Sequence, residues 1–157
     1  MTLKKIISGG QTGADKAGLI AARALGLETG GCAPKGWRIC LPDGSDGSDP
    51  SLQDYGLVEH ESREYPPRTI LNVQSSDGTV WFGYEKSPGG KLTLQTAEAK
   101  GKPSIINPTA SELREWVTAK DIQTLNVAGN RQSPENPDIF EFTYQTICEA
   151  FRGDLDA

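Results

Sequence analysis

Histidine and methionine occur once each in the 157 residues, and cysteine three times. A multi-histidine metal centre is therefore excluded. Cys32, Cys40 and Cys148 show neither an even pairing nor metal-ligand spacing, so no disulfide framework or metal site is expected. They read as small buried hydrophobes. His60 stands in a polar stretch and reads as solvated, and no Gly-x-Ser-x-Gly nucleophile elbow accompanies it. No apolar run is long enough to span a bilayer. Met1 to Lys5 leads straight into a short strand pattern without a signal-peptide layout, which makes a cytoplasmic protein with no membrane partner the expectation. Positive charge is also short: 16 Lys and Arg against 21 Asp and Glu give a formal charge of −5. That balance argues against a nucleic-acid partner. The acidic stretch Asp43 to Pro50 lacks the glutamate that closes an EF-hand loop and reads as a flexible loop.

Glycine, by contrast, is plentiful, with 18 residues, and the chain is long enough for one domain over 1–157 with a real core. The stretch that organises the rest is the first fifteen residues. Leu3 to Ser8 is a short apolar run. Gly9-Gly10-Gln11-Thr12-Gly13-Ala14-Asp15 follows, and Ala17, Leu19, Ile20, Ala21, Ala24 and Leu25 then recur at helical spacing up to Gly26. Strand, glycine turn and helix form the opening of a phosphate- or nucleotide-binding α/β domain. In such a turn glycines let the backbone approach a ligand, and the first N–H groups of the helix face an anion. The pattern is neither Gly-x-Gly-x-x-Gly nor a Walker A loop. Asp15 has a second reading as a helix N-cap. Beside an anion it also selects for a ligand with donor groups or for a bridging cation.

The remaining chain alternates in the same way. Leu27 to Ala33 reads as a second strand, Cys40 to Tyr65 as a long loop suited to a lid or binding segment, and Pro66-Pro67 as the start of a helix carrying Ile70, Leu71 and Val73. Thr79 to Tyr84 has the continuous apolar character of a central parallel strand. After the Ser87 to Lys91 glycine turn come a helix over Leu92 to Lys100 and a strand over Pro103 to Asn107. A helix from Ser111, its expected N-cap, to Lys120, a strand over Gln123 to Val127 and a helix over Pro137 to Phe151 complete the set. The fold class that follows is α/β: a Rossmann-like, doubly wound, mainly parallel sheet with helices on both faces. Ligands of such sheets bind at the carboxyl ends of the strands, where the strand order reverses. The turns Gly9 to Asp15, Ser87 to Lys91 and Gly129 to Arg131 are expected to converge there on an oxyanion.

Ser8-Gly9-Gly10-Gln11-Thr12-Gly13-Ala14-Asp15 resembles the opening motif of the molybdenum-cofactor carrier proteins. These are part of a Rossmann-like group, SLOG, that includes the lysine-decarboxylase-like phosphoribohydrolases. The likeness continues in Gly36-Trp37, Tyr65, Arg68-Thr69, Asn72-Val73 and Ser76-Asp77-Gly78-Thr79. It resumes in Gly89-Gly90, Leu92-Thr93, Lys102-Pro103, Asn126-Val127-Ala128-Gly129 and Arg131. It implies a Rossmann-like fold, a homo-oligomer such as a tetramer, and binding of molybdenum cofactor, a phosphorylated pterin. A molybdoenzyme or a cofactor-biosynthesis protein is the implied partner. On that resemblance Gly9, Gly10, Gln11, Thr12 and Gly13 hold an anionic group together with Gly89, Gly90 and Thr93. Asp15 and Ser76 are counted with the binding residues, Asp77, which like Ser76 sits before the third strand, caps or braces the site, and Lys35, Arg68, Lys91 and Arg131 are the candidate counter-charges. A nucleotide or phosphate as ligand, in a nucleotide-sensing module, needs the same frame.

The phosphoribohydrolase relatives carry Pro-Gly-Gly-x-Gly-Thr-x-x-Glu. Here the stretch reads Pro88-Gly89-Gly90-Lys91-Leu92-Thr93-Leu94-Gln95-Thr96, with Leu92 for a glycine and Thr96 for the catalytic glutamate. Threonine neither acts as a general base at neutral pH nor stabilises an oxocarbenium charge as a carboxylate does. A binding protein without catalytic residues or resident metal ligands is therefore expected. Leu113, Trp116 and Val117 form a candidate oligomer patch.

Overall fold

The computed structural model describes residues 3–155. Its main sheet contains β1 (Lys5–Ile7), β2 (Glu28–Ala33), β5 (Leu57–Glu59), β6 (Gly78–Phe82), β7 (Ser104–Ile106) and β8 (Thr124–Gly129). The order is β5-β2-β1-β8-β6-β7 and every pairing is parallel. A separate antiparallel pair, β3 (Arg38–Cys40) with β4 (Asp46–Ser48), stands beside it. Helices α1 (Ala14–Ala24), α4 (Ala110–Ala119) and α5 (Ile139–Leu155) pack together on one face, and α2 (Tyr65–Gln74) packs with α3 (Pro88–Ala99) on the other. The Rossmann-like α/β architecture expected from the alternating pattern is the one observed. No helix among the described residues is long and apolar enough to cross a membrane.

The strand order has one notable feature. β8 is the last strand in the chain, yet it lies between β1 and β6 at the sheet's centre. Read from β8 onward, the strands run outward as β8-β1-β2-β5 and then, on the other side, as β6-β7. The sheet is thus an ordinary doubly wound one whose chain begins one strand late.

Alternation along the central strands sorts side chains between the faces. Val80 and Phe82 of β6, Leu125 and Val127 of β8 and Ile6 of β1 join Leu113, Val117, Ile147 and Phe151 in the main core. Trp81 and Asn126 fall between these positions and face the α2 and α3 side, where both line a cleft. A smaller cluster, Leu19, Ala33, Leu52 and Leu57, holds the β5 edge.

Several expectations are corrected. The segment from Cys40 to Tyr65 is not a featureless loop: it contains β4, a 3-10 helix over Pro50–Tyr55 and edge strand β5. Two of its acidic residues are paired with cations, Asp46 with Arg38 at 2.8 Å and Asp49 with Lys16 at 2.7 Å. Helix α3 begins at Pro88, so the second glycine turn is its first turn, capped by Ser87 Oγ accepting from the Gly90 N–H. The α4 cap is Thr109 rather than Ser111, and Thr109 forms a reciprocal capping box with Glu112. Leu113 and Val117 are fully buried within the subunit and Trp116 packs against them, so this trio does not form a surface patch. Cys32 and Cys148 are buried as expected, but Cys40 is only half-buried.

Candidate functional site

The cleft lies at the carboxyl ends of β1, β8 and β6, under the first turns of α2 and α3, and has a volume of about 510 Å³. This is where the winding direction of the sheet reverses, since β1 leads to α1 on one face and β6 leads to α3 on the other. Tyr65 and Pro66 from α2, Trp81 from β6 and Leu92 from α3 supply aromatic and apolar surface. Gly9, Gln11, Asp15, Arg68, Gly89, Thr93 and Arg131 of the expected site residues all line it, joined by Asn126 and Asn130.

Asp15 and Arg68 form its charged floor. Asp15 is 5% exposed and Arg68 9%. Burial pushes the Asp15 carboxyl up to about 6, against the opposing pull of Arg68 and of the Gln11 and Gly9 N–H groups. Burial likewise lowers the Arg68 guanidinium, with Asp15 opposing it. Arg68 Nη1 donates to Thr69 Oγ1 at 2.8 Å, while Arg68 Nε and Trp81 Nε1 are buried without a hydrogen-bond partner. Unpaired buried donors of this kind are uncommon.

The glycine turn after β1 differs from the expected anion cradle. Asp15 is the second residue of α1, whose N-cap is Gly13. The Gly10 N–H donates to Ser8 Oγ, the Gln11 N–H to Asp15 Oδ2, the Thr12 N–H to Gln11 Oε1 and the Ala14 N–H to the Asn130 carbonyl. A Cβ on Gly13 would meet Asn130 O and Gln132 N at 2.6 Å, and its φ is +90°. The segment after β8 therefore seals the N-terminus of α1. Gly10 packs against Leu52. A Cβ on Gly9, in contrast, would lie 2.4 Å from Arg68 Nη1, so this glycine makes room for the guanidinium at the cleft floor.

The other expected site residues lie elsewhere. Gly10, Thr12 and Gly13 are turned into protein, and the Thr12 hydroxyl donates to the Cys40 carbonyl. Gly90 packs on the Glu85 backbone. Lys35 and Lys91 are exposed and do not line the cleft. Ser76 and Asp77 stand at the amino end of β6, the opposite edge of the sheet. There the Ser76 hydroxyl donates to the Val73 carbonyl, and Asp77 Oδ2 accepts from the Gln123 and Thr124 N–H groups. Thr96 is also away from the cleft, its hydroxyl donating to the Leu92 carbonyl at 2.7 Å.

Residues 6–151 match the circularly permutated YpsA SLOG family. The chain belongs to that family. The permutation is visible in this member as the late, central β8. The crystal structure of the "Putative molybdenum carrier protein" from Syntrophus aciditrophicus SB is similar at 33% identity. Its TM-score is 0.82, and the match covers 96% of this chain and 95% of that one. A crystal structure of (E)-4-hydroxy-3-methyl-but-2-enyl diphosphate reductase is far more distant, at 14% identity and a TM-score of 0.40 over 94% of this chain and 59% of that one. No curated protein matches the chain.

In this YpsA-family member the residues missed by sequence reading are the cleft walls. Trp81 sits in an apolar strand whose pattern reveals burial but not which face each residue meets. Asn126 carried a weak signal, an amide in an otherwise apolar strand, and its Nδ2 donates to Thr79 Oγ1 at 3.2 Å. Among the described residues no group of three or more His, Cys, Asp or Glu is placed to hold a metal ion.

Proposed function

We propose that this protein is a cytoplasmic carrier for molybdenum cofactor, holding the phosphorylated pterin in the cleft between β1, β8, β6 and the first turns of α2 and α3. The observation that carries this reading is the cleft's make-up: aromatic and apolar walls from Tyr65, Pro66, Trp81 and Leu92 over a buried floor of Arg68 and Asp15. A planar heterocycle gains from burial against such walls, and a buried guanidinium with an unpaired Nε favours a ligand that brings acceptors. The similarity to the Syntrophus protein, whose name is that of a molybdenum carrier, supports the same choice.

The residues present fit such a group. Arg68 and Arg131 supply positive charge, Gly89 leaves open backbone at the start of α3, and Asp15, Asn126 and Thr93 supply polar contacts. When bound, the cofactor's dithiolene would hold the molybdenum. The protein's part is to bind the pterin, exclude water from it and release it to a molybdoenzyme or a biosynthetic partner. Self-association into a homo-oligomer belongs to this reading. Purification under gentle, anaerobic conditions tests it: the expected outcome is a co-purifying pterin, identified by mass, with molybdenum in the same fraction. A nucleotide in its place would make the protein a nucleotide-sensing module.

A further inference from the structure

The carrier reading leaves open how the cleft tells one heterocycle from another, and the buried carboxylate on its floor supplies an answer. Asp15 is the one acidic residue lining the cleft among the described residues. It is 5% exposed, so its charge is costly unless it is met by donors. The Gln11 N–H reaches Oδ2 at 3.3 Å, a long hydrogen bond, the Gly9 N–H also acts on the carboxyl, and Arg68 Nη1 stays 4.0 Å away, outside hydrogen-bond distance. Arg68 Nη1 donates to Thr69 Oγ1 instead. A carboxylate offers two acceptor oxygens side by side and no donor when ionised. What satisfies it best is a pair of adjacent N–H groups in one plane, as when a guanidinium fork meets a carboxylate. Tyr65 and Trp81, which also line the cleft, offer aromatic surface to such a ring.

We propose that Asp15 is the specificity-determining residue of the cleft, its carboxylate accepting the ring N–H and the exocyclic amino group of a 2-amino-4-oxopyrimidine edge. This rests on the carrier reading and narrows it to ligands with that edge, which pterins and guanine share. Rings that turn a carbonyl or a bare ring nitrogen toward Asp15 meet acceptor against acceptor. Adenine alternates donor and acceptor along its edge, and a 2,4-dioxopteridine places a carbonyl where the pterin has its amino group. The same carboxylate fixes the ligand's direction. An anionic tail is repelled from Asp15, and the adjoining N-terminus of α1 is sealed by the Asn130 carbonyl. The tail therefore points away from the α1 N-terminus, toward Gly89 at the start of α3, which lines the cleft. Gly89 has room there: a Cβ would come no closer than 3.9 Å to Trp81.

The test uses the full chain at pH 7 and two probes that differ only at position 2 of the ring, pterin-6-carboxylate and lumazine-6-carboxylate, titrated by calorimetry. The wild-type protein is expected to prefer the pterin by about tenfold or more. In Asp15→Asn the carboxamide offers one donor and one acceptor, so the preference should collapse or reverse. Equal affinity of the wild type for the two probes overturns the proposal and leaves the carrier reading standing, and so does a pterin preference that survives Asp15→Asn. Binding of neither probe at millimolar concentration overturns the carrier reading and this inference with it. Should Asp15→Asn fail to fold, as judged by its thermal transition, GMP against AMP on the wild-type protein decides the same point: guanine is preferred, or the proposal fails.

Discussion

Arg68 Nη1 lies 4.0 Å from Asp15 Oδ2, so two opposite charges are buried side by side as a long ion pair with no hydrogen bond between these atoms. Burial outweighs attraction at the carboxyl, which is pushed up to about 6 from 3.8. The folded state thus holds the Asp15 proton more tightly than the unfolded chain does. Between pH 4 and 6 the unfolding free energy contributed by this group falls as pH rises, by about 3 kcal/mol in all. Urea denaturation of wild type and Asp15→Asn across pH 4 to 7 checks this. The wild-type curve should lose stability relative to the variant as pH rises, whereas parallel curves would show that Asp15 titrates normally.

Gly13→Ala should destabilise far more than Gly26→Ala, although both glycines have positive φ. At Gly26 nothing lies within 4 Å of the new Cβ, leaving only backbone strain of about 1–2 kcal/mol. At Gly13 the Cβ adds a clash at 2.6 Å with the Asn130 carbonyl and the Gln132 nitrogen, which should raise the cost by about 1–3 kcal/mol. Thermal midpoints of the two variants supply the comparison. Equal shifts would mean that the 130–132 segment does not seal α1.

Leu113→Ala should cost about 2–5 kcal/mol of subunit stability, because Leu113 is fully buried among Val117, Ile147 and Phe151. Its oligomeric state, read by light scattering, should match that of the wild type. An altered oligomer with unchanged subunit stability is the contrary result and would return Leu113 to the surface.

The protein should release no base from AMP, and Thr96→Glu should not create that activity. The Thr96 hydroxyl donates to the Leu92 carbonyl, outside the cleft, so a longer acidic side chain there starts from a packed position. Assay of released adenine measures both proteins. Turnover of about 1 per second or faster by the wild type would make this an enzyme.

Legibility in the sequence followed the strength of local pattern. The alternation of strand and helix placed the parallel sheet, and the Pro66-Pro67 pair marked the start of α2 to within a residue. β5 escaped because it is three residues long and leaves Val58 exposed at the sheet edge, so no run or alternation announces it. The glycine turn after β1 was legible as a strand-to-helix turn, yet its purpose was not. Gly13 serves the close approach of a segment 117 residues later in the chain, from Gly13 to Asn130, which no local window contains. Ser76 and Asp77 resembled site residues but stand at the wrong end of β6. A residue before a parallel strand and one after it look alike in sequence and lie at opposite edges of the sheet. Arg68 was recognised as a candidate cation. Its place beside Asp15 is a product of α2 packing over β2, visible only after folding.

The position of β8 also governs how the chain can assemble on a ribosome. Until residues 124–129 have been made, the growing polypeptide can form only two half-sheets, β5-β2-β1 and β6-β7. Each keeps an open edge toward the missing centre, the kind of edge that pairs with other chains. At about 5–20 residues per second, that exposure lasts for many seconds of synthesis. The central strand then closes both edges at once. Native structure thus arrives late and cooperatively, and the unpaired flanks of β1 and β6 are where a nascent-chain chaperone would have to act.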